Sequence, residues 1–373
     1  MKLLLIGPYP PPHGGISVHV AETRALVESS GAECRVLNIS PRAGPSPDYE
    51  RIRNGAGLAR MVARYARSGW TLHLHINGHN RKAWLIAFVC GVFGRAAPSR
   101  LLTLHSGLAP SYLGSGGTLR RALLRATCRL YPRIVCVSRP IQEAVLRLGI
   151  DAARLRILPA FVPRRPSVVP LGRDLEEWIG AHSPVLSTTL FFRPEYGFDL
   201  LVRALALLRA RHPDVGCLVM GSREGMESEK ARVARTGLAS HVWFLGDVEH
   251  AACLFLMSRS NVYVRPALVD GDSVSVREAL HLGVPVVASN VGVRPPSAAL
   301  FEAGNAEDLV EVVDQVLSRG GPPSAPKPRA HDDRDTGALL DLYGGLPAPG
   351  STRDGRTERE RGETEALARN EQG

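Results

Sequence analysis

The segment Val264–Ser289, VRPALVDGDSVSVREALHLGVPVVAS, holds a strand end, a polar loop, a helix start and a second strand within 26 residues. Tyr263 and Val264 close the apolar run NVYV. Pro266 stops it, because proline has no N–H to give to a sheet ladder. Asp270-Gly271-Asp272-Ser273 supplies cap and turn residues just before an apolar-periodic stretch, with Asp272 read as the cap. Val276, Ala279, Leu280 and Leu282 suit a short buried helix that Gly283 ends. Val284–Ala288 then reads as a buried parallel strand. The first amides of such a helix lack intrahelical partners and carry the positive end of its dipole. Lying past the carboxyl end of a parallel strand, the N–H groups of Gly271, Ser273 and Val274 are placed to receive a phosphate. Asp270 and Glu278 flank that start eight positions apart. A phosphate-sized nest with an acid on each side suits a nucleotide-sugar.

Outward from this unit the chain alternates strand and helix. Strands are expected at Leu3–Ile6, Cys34–Ile39, Leu72–Ile76, Leu101–His105, Ile134–Val137 and Arg156–Pro159. Helices are expected at Val18–Val27, Arg51–Ala66, Ala83–Phe93, Leu119–Leu130 and Ile141–Leu148. The proline-rich Val162–Pro170 is a linker. The alternation then restarts, with strands near Val185–Phe191, Gly216–Met220, Val242–Leu245 and Val262–Val264. Its helices fall near Leu200–Arg211, Glu227–Ala234, Ala251–Ser258 and Ala306–Leu317. Such alternation implies doubly wound parallel sheets in an α/β fold. Gly320–Lys327 is a break. Residues 347–373 are polar, charged and without apolar period, and read as a disordered tail.

The 373 residues suffice for two domains of ordinary size, and 44% apolar content supports a sizeable core. No apolar stretch reaches the roughly 18–20 residues that cross a bilayer. MKLLLIG is too short for a signal-peptide core, and the six cysteines show no C-x-x-C, so buried reduced thiols in a cytoplasmic protein are expected. Residues 1–165 hold 24 Lys and Arg against 7 Asp and Glu, whereas the remainder holds 22 against 29. A basic first part points to an anionic partner. Arg60 and Arg64, and Arg121, Arg125 and Arg129, recur at helical spacing among leucines, which suits the surface of an anionic membrane. A solvated helix face accounts for the same spacing. No zinc-finger or aromatic RNA-binding pattern is present, so nucleic acid is not an expected partner.

The segment Asp270–Ser289 resembles the E-x7-E region of retaining glycosyltransferases of the GT-B fold, family 4. Glu278 matches the second acid, and Asp270 stands where the family usually has Glu. GVPVVAS matches closely. The resemblance covers most of residues 1–345. It implies two facing Rossmann-like domains: residues 1–165 for the acceptor and 166–320 for the nucleotide-sugar. Residues 321–346 would form a linker and closing helix, with TGALLDLY (Thr336–Tyr343) crossing back to the first domain. It further implies that Asp270 contacts the donor sugar and Glu278 the ribose, and that no metal is needed. Asp270-x-Asp272 has the form of the manganese signature of a different glycosyltransferase fold, but here it sits at a helix cap.

Other motifs extend the resemblance. The Gly14-Gly15 pair in the loop GPYPPPHGGIS lines the cleft in that family, and glycine lets a ligand approach the backbone closely. The loop lacks the G-x-G-x-x-G fingerprint of dinucleotide enzymes. LLTLHSG resembles a T-x-H-G strand end, which places His105 near the transferred sugar. FFRPEYGFDL resembles G-R-x-x-x-K-G-x-D, so Arg193 is expected to clamp the diphosphate, with Tyr196 in place of the lysine. In FLGDV, Gly246 and Val248 would border the base. His73 and His75 share one strand face, and with His79 and His105 they invite a metal reading, which the lack of a carboxylate at ligand spacing disfavours. The expected activity is sugar transfer from a nucleotide-diphosphate sugar to a glycan or lipid-linked acceptor, in surface polysaccharide or glycoconjugate synthesis at the inner membrane face. The alternatives are an epimerase or hydrolase of the same fold, and a non-catalytic membrane-associated scaffold.

Overall fold

The computed structural model describes residues 1–41, 43–162, 168–221, 223–319 and 333–344. Most of the expected linker, the break at Gly320–Lys327 and the tail at 347–373 lie outside them. In chain order the strands are β1 (Lys2–Gly7), β2 (Glu33–Asn38), β3 (Glu50–Arg51), β4 (Thr71–Ile76), β5 (Arg100–Leu104), β6 (Arg133–Cys136), β7 (Leu155–Ile157), β8 (Val185–Leu190), β9 (Gly216–Gly221), β10 (Val242–Gly246), β11 (Val262–Arg265), β12 (Val286–Ser289) and β13 (Ala299–Phe301). They form two sheets, ordered β3-β2-β1-β4-β5-β6-β7 and β10-β9-β8-β11-β12-β13. Every pairing is parallel.

Both sheets are covered on both faces, which is why their strands read as continuous apolar runs. In β1, Leu4 and Ile6 pack with Leu74, Leu102 and the helices Gly55–Arg67 and Arg81–Phe93, while Leu3 and Leu5 pack with Val20, Leu26 and Val27 on the other face. Leu339, Leu340 and Tyr343, at and just past the end of the last helix (Asp333–Asp341), join that second cluster. These residues therefore return the chain to the first sheet. Tyr343 and Thr103 are hydrogen-bonded to the two ring nitrogens of buried His73, each at 2.7 Å.

The strand order reverses between β1 and β4 in one sheet and between β8 and β11 in the other. At such a switch point the loops diverge and open a crevice. The loops after β1, β4 and β5 face those after β8 and β11 across this crevice.

Several boundaries differ from the sequence reading. The first helix begins at Gly15 rather than Val18. The helix expected from Arg51 begins at Gly55, where the Asn54 side chain accepts from Gly57 N–H at 2.8 Å, and Glu50–Arg51 instead pairs with β2. Strand β12 starts at Val286 because Val284 N–H is spent on Ala279 O (2.9 Å) and Pro285 has none. Helices Arg173–Ala181 and Ala109–Gly114 and strand β13 had no counterpart in the pattern.

Candidate active site

The crevice is a cleft of about 300 Å³. The helix Val274–His281 starts at its wall, and Asp270 through Glu278 contribute most of one side. The backbone of Ser273 is extended at the N-cap position, and its side chain makes no capping bond. The helix start therefore leaves its amides for a ligand. Asp272 is not the cap that the sequence suggested. Its carboxylate takes both Nε and Nη2 of Arg277, at 2.7 and 2.8 Å.

Asp270 is likewise committed. Arg265 grips it through Nε (3.0 Å) and Nη2 (3.1 Å), and Arg294 Nη1 stands 2.9 Å from Oδ2. Gly271 N–H donates to Oδ1 at 3.0 Å. Burial opposes ionisation of Asp270, but the two guanidiniums outweigh it and hold the carboxyl below its usual range. Asp270 is thus an anion caged by two cations, and the cage is one positive charge in excess.

Glu278 also lines the cleft and is bound to His250. His250 donates from Nε2 to Glu278 Oε1 at 2.6 Å and from Nδ1 to Glu22 Oε1 at 3.1 Å. Burial works against charge on this imidazole, yet hydrogen bonds and charge from Glu22 and Glu278 push its pKa up to about 10. Glu22 belongs to the helix Gly15–Ser29 of the first sheet's half, so the contact spans the two halves. A second spanning contact joins His13 N–H and Nδ1 to Asp247 Oδ1, at 2.9 and 3.2 Å.

Arg193 lines the cleft with its guanidinium 5.6 Å from the centre of the Phe191 ring. Tyr196 also lines it, and its ring carries the Arg265 guanidinium at 5.1 Å. A cation therefore sits beside the phenol after all, supplied from β11 and not from the β8 loop.

The opposite wall includes His105, Gly14, Gly15 and Ser106. Its Nε2 is hydrogen-bonded to His75 Nδ1 at 3.1 Å, and the rings of His19, His75 and His105 lie 5.4–5.5 Å apart. Burial and the neighbouring His19 and His73 lower the His105 pKa well below 6.5, so the ring is neutral. It can donate or accept a hydrogen bond but brings no charge. His79 is hydrogen-bonded to Ser106 Oγ at 2.6 Å. Among the described residues no group of three or more His, Cys, Asp or Glu is placed to hold a metal ion.

The two walls touch where side chains are absent. A Cβ on Gly107 would lie 2.0 Å from Asp270 O, and one on Gly271 would lie 3.0 Å from Gly107 N. Of the residues singled out from sequence, Gly15, His105, Arg193, Val248, Asp270, Gly271, Asp272, Ser273, Val274 and Glu278 all line this one cleft. Gly246 does not: it ends β10 at φ 70° and packs against Arg223. Sequence reasoning missed Arg265, Arg294, His250 and Glu22. Arg265, one residue past the apolar NVYV, carried a signal, being a charge in the middle of a buried strand end. The other three acquire their roles only through tertiary packing.

Residues 191–332 match the family described as glycosyl transferases group 1, and residues 13–166 match Glycosyltransferase Family 4. The fold is similar to that of Anabaena HepE in complex with UDP, with a TM-score of 0.64 at 17% identity over 85% of this chain and 90% of that one. Two facing parallel-sheet domains of this kind define the GT-B class. The chain belongs to the group 1, family 4 glycosyltransferases. It is 27% identical over 309 residues to the phosphatidyl-myo-inositol mannosyltransferase of Mycolicibacterium smegmatis, covering 74% of this chain and 73% of that protein. It is 23% identical over 213 residues to the gpi3 subunit of the phosphatidylinositol N-acetylglucosaminyltransferase of Schizosaccharomyces pombe, covering 56% of this chain and 45% of that one. The match thus spans less than half of the second relative.

Proposed function

We propose that the protein transfers a sugar, with retention, from a nucleotide-diphosphate sugar to a hydroxyl of a lipid-linked acceptor. The observation that carries this reading is the convergence of the open helix start at Ser273–Val274, Arg193 and Glu278 on one cleft between two switch points. The diphosphate lies on the helix start, and Arg193 with the Arg265–Asp270–Arg294 cage offsets the charge that develops on the leaving group. Glu278 holds the ribose. Neutral His105 hydrogen-bonds the sugar or the incoming hydroxyl from the opposite wall. Asp270 is engaged by two arginines, so it acts on the sugar through the cage and not as a free nucleophile. The acceptor attacks from the face the leaving group departs, and its proton passes to the phosphate oxygen. No metal takes part in this reading, since the carboxylates Asp270 and Asp272 are each matched by arginine.

The lipid-linked acceptor is supported by the names of the two relatives and by the charge of the first half. There, Leu85, Phe88 and Phe93 on one helix and Leu119 and Leu123 on a neighbouring helix are exposed beside Arg81, Lys82, Arg121 and Arg125. Apolar side chains within a basic field suit peripheral binding to an anionic bilayer. Among the described residues no helix is long and apolar enough to cross one.

The test is a thermal-shift panel of nucleoside diphosphates and nucleotide-sugars, since a ligand of the native state raises its melting temperature. One base and one sugar are expected to stand out. That donor is then incubated alone and with phosphatidylinositol-type acceptors. Product only with acceptor supports transfer, whereas sugar release or epimerisation without acceptor points to the other reactions of this fold. A panel without any shift removes the donor site.

A further inference from the structure

Glu278 and Glu22 are carboxylates from opposite halves, and only Glu278 lines the cleft. The imidazole of His250, the first residue of the helix His250–Ser258, stands between them. All three side chains are largely buried, with exposures of 13% for His250, 8% for Glu22 and 10% for Glu278. An imidazole ring is rigid, and its two N–H groups point apart. Orienting it on one carboxylate therefore fixes where the other must be.

We propose that His250 is a positioning residue that couples donor binding to closure of the two domains, by orienting Glu278 on the donor ribose only when its other nitrogen is fastened to Glu22. This inference rests on the donor-site reading above. The imidazole therefore holds Glu278 from one half by its fastening to Glu22 from the other. Among the described residues Glu278 Oε2 has no hydrogen-bond partner. Ribose hydroxyls donate best to that oxygen when His250 holds Glu278 in place, so the donor favours the closed arrangement. By thermodynamic reciprocity, closure favours the donor to the same extent. His13–Asp247 provides a separate contact between the halves, so loss of Glu22 loosens closure without abolishing it.

The experiment is isothermal titration of UDP and of GDP into wild type, Glu22→Ala, Glu22→Gln, His250→Gln and the double variant Glu22→Ala/His250→Gln. Small-angle scattering is recorded with and without nucleotide. Glu22 does not line the cleft, yet Glu22→Ala is expected to weaken the better nucleotide about 5- to 20-fold. It should also reduce the compaction seen on binding. Glu22→Gln, whose amide oxygen still accepts from Nδ1, recovers most of the affinity. In the His250→Gln background Glu22→Ala adds less than about twofold, because both act through one link. If Glu22→Ala does not fold, Glu22→Thr, too short to reach Nδ1, takes its place. Wild-type affinity in Glu22→Ala, or effects that simply multiply, overturns the coupling while leaving the donor site intact. Wild type that binds neither nucleotide removes the donor site, and the coupling with it.

Discussion

Asp270 shows how a residue's neighbours decide its chemistry. Its spacing from Glu278 was legible in the sequence, but its cage was not. Arg265 comes from β11, and Arg294 lies beyond β12. Both are brought in by the parallel pairing of those strands. Asp270→Asn leaves two buried guanidiniums without their counter-charge, and the expected loss is about 3–5 kcal/mol. Thermal melting would show this as a fall of several degrees, and an unchanged melting temperature would mean the cage is not formed. Glu278→Ala is expected to raise donor Kd about tenfold or more, as titration calorimetry would measure, and also to lower the melting temperature, because it removes one of the two carboxylates that hold His250. Arg193→Ala is expected to lower kcat more than it raises KM, because its charge matters most as the leaving group develops its own. Equal kcat in mutant and wild type would remove Arg193 from the transition state.

At the scale of elements, periodicity carried most of the reading. The central strands are apolar runs bounded by turns, and these signals do not depend on distant residues. The elements that escaped are short or irregular. Strand β13 has three residues, ALF, and only its last is buried. The helix Arg173–Ala181 follows a proline-rich stretch, and its pattern offers Leu175 and Ile179 as its only buried positions. The cap at Asp272 was misread because capping chemistry and ion pairing use the same carboxylate, and Arg277, five residues on, claims it. The loops Ser106–Leu108 and Asp270–Ser273 meet without side chains between them. Gly107→Ala would set a methyl carbon 2.0 Å from Asp270 O, a contact that cannot be accommodated without moving backbone. The expected variant folds, because each half keeps its core, but scatters as a more open particle and loses most transfer activity. A crystal structure with the loops still in contact would refute that.

For the whole molecule, the association of the halves depends on ionisation. His250 has a folded-state pKa raised to about 10 by Glu22 and Glu278. A group whose folded pKa is raised contributes stability that is fully present below its unfolded value of about 6.5 and is lost as pH rises through the folded one. Wild type should therefore be more stable than His250→Gln at pH 6, with the difference shrinking between about pH 6.5 and 10. Paired denaturation curves across that range would test it, and a difference independent of pH would contradict the bridge. The charge asymmetry of the whole chain was countable from sequence. What it meets was not, because a basic amphipathic helix looks the same facing water or lipid until its neighbours are known. Leu119→Gln/Leu123→Gln should reduce sedimentation with anionic vesicles severalfold at moderate salt while leaving nucleotide binding unchanged.

The bare seam between Gly107 and Gly271 means that neither half owns the reaction chamber. Each supplies one wall, and the fit between walls is set by main chain, which cannot be tuned by swapping side chains. Grafting the second half onto the first half of another family member would then preserve two folded pieces and still misalign the chamber, unless both loops travel together. Changes of donor or acceptor preference are accordingly freer at the cleft's rim than at its waist.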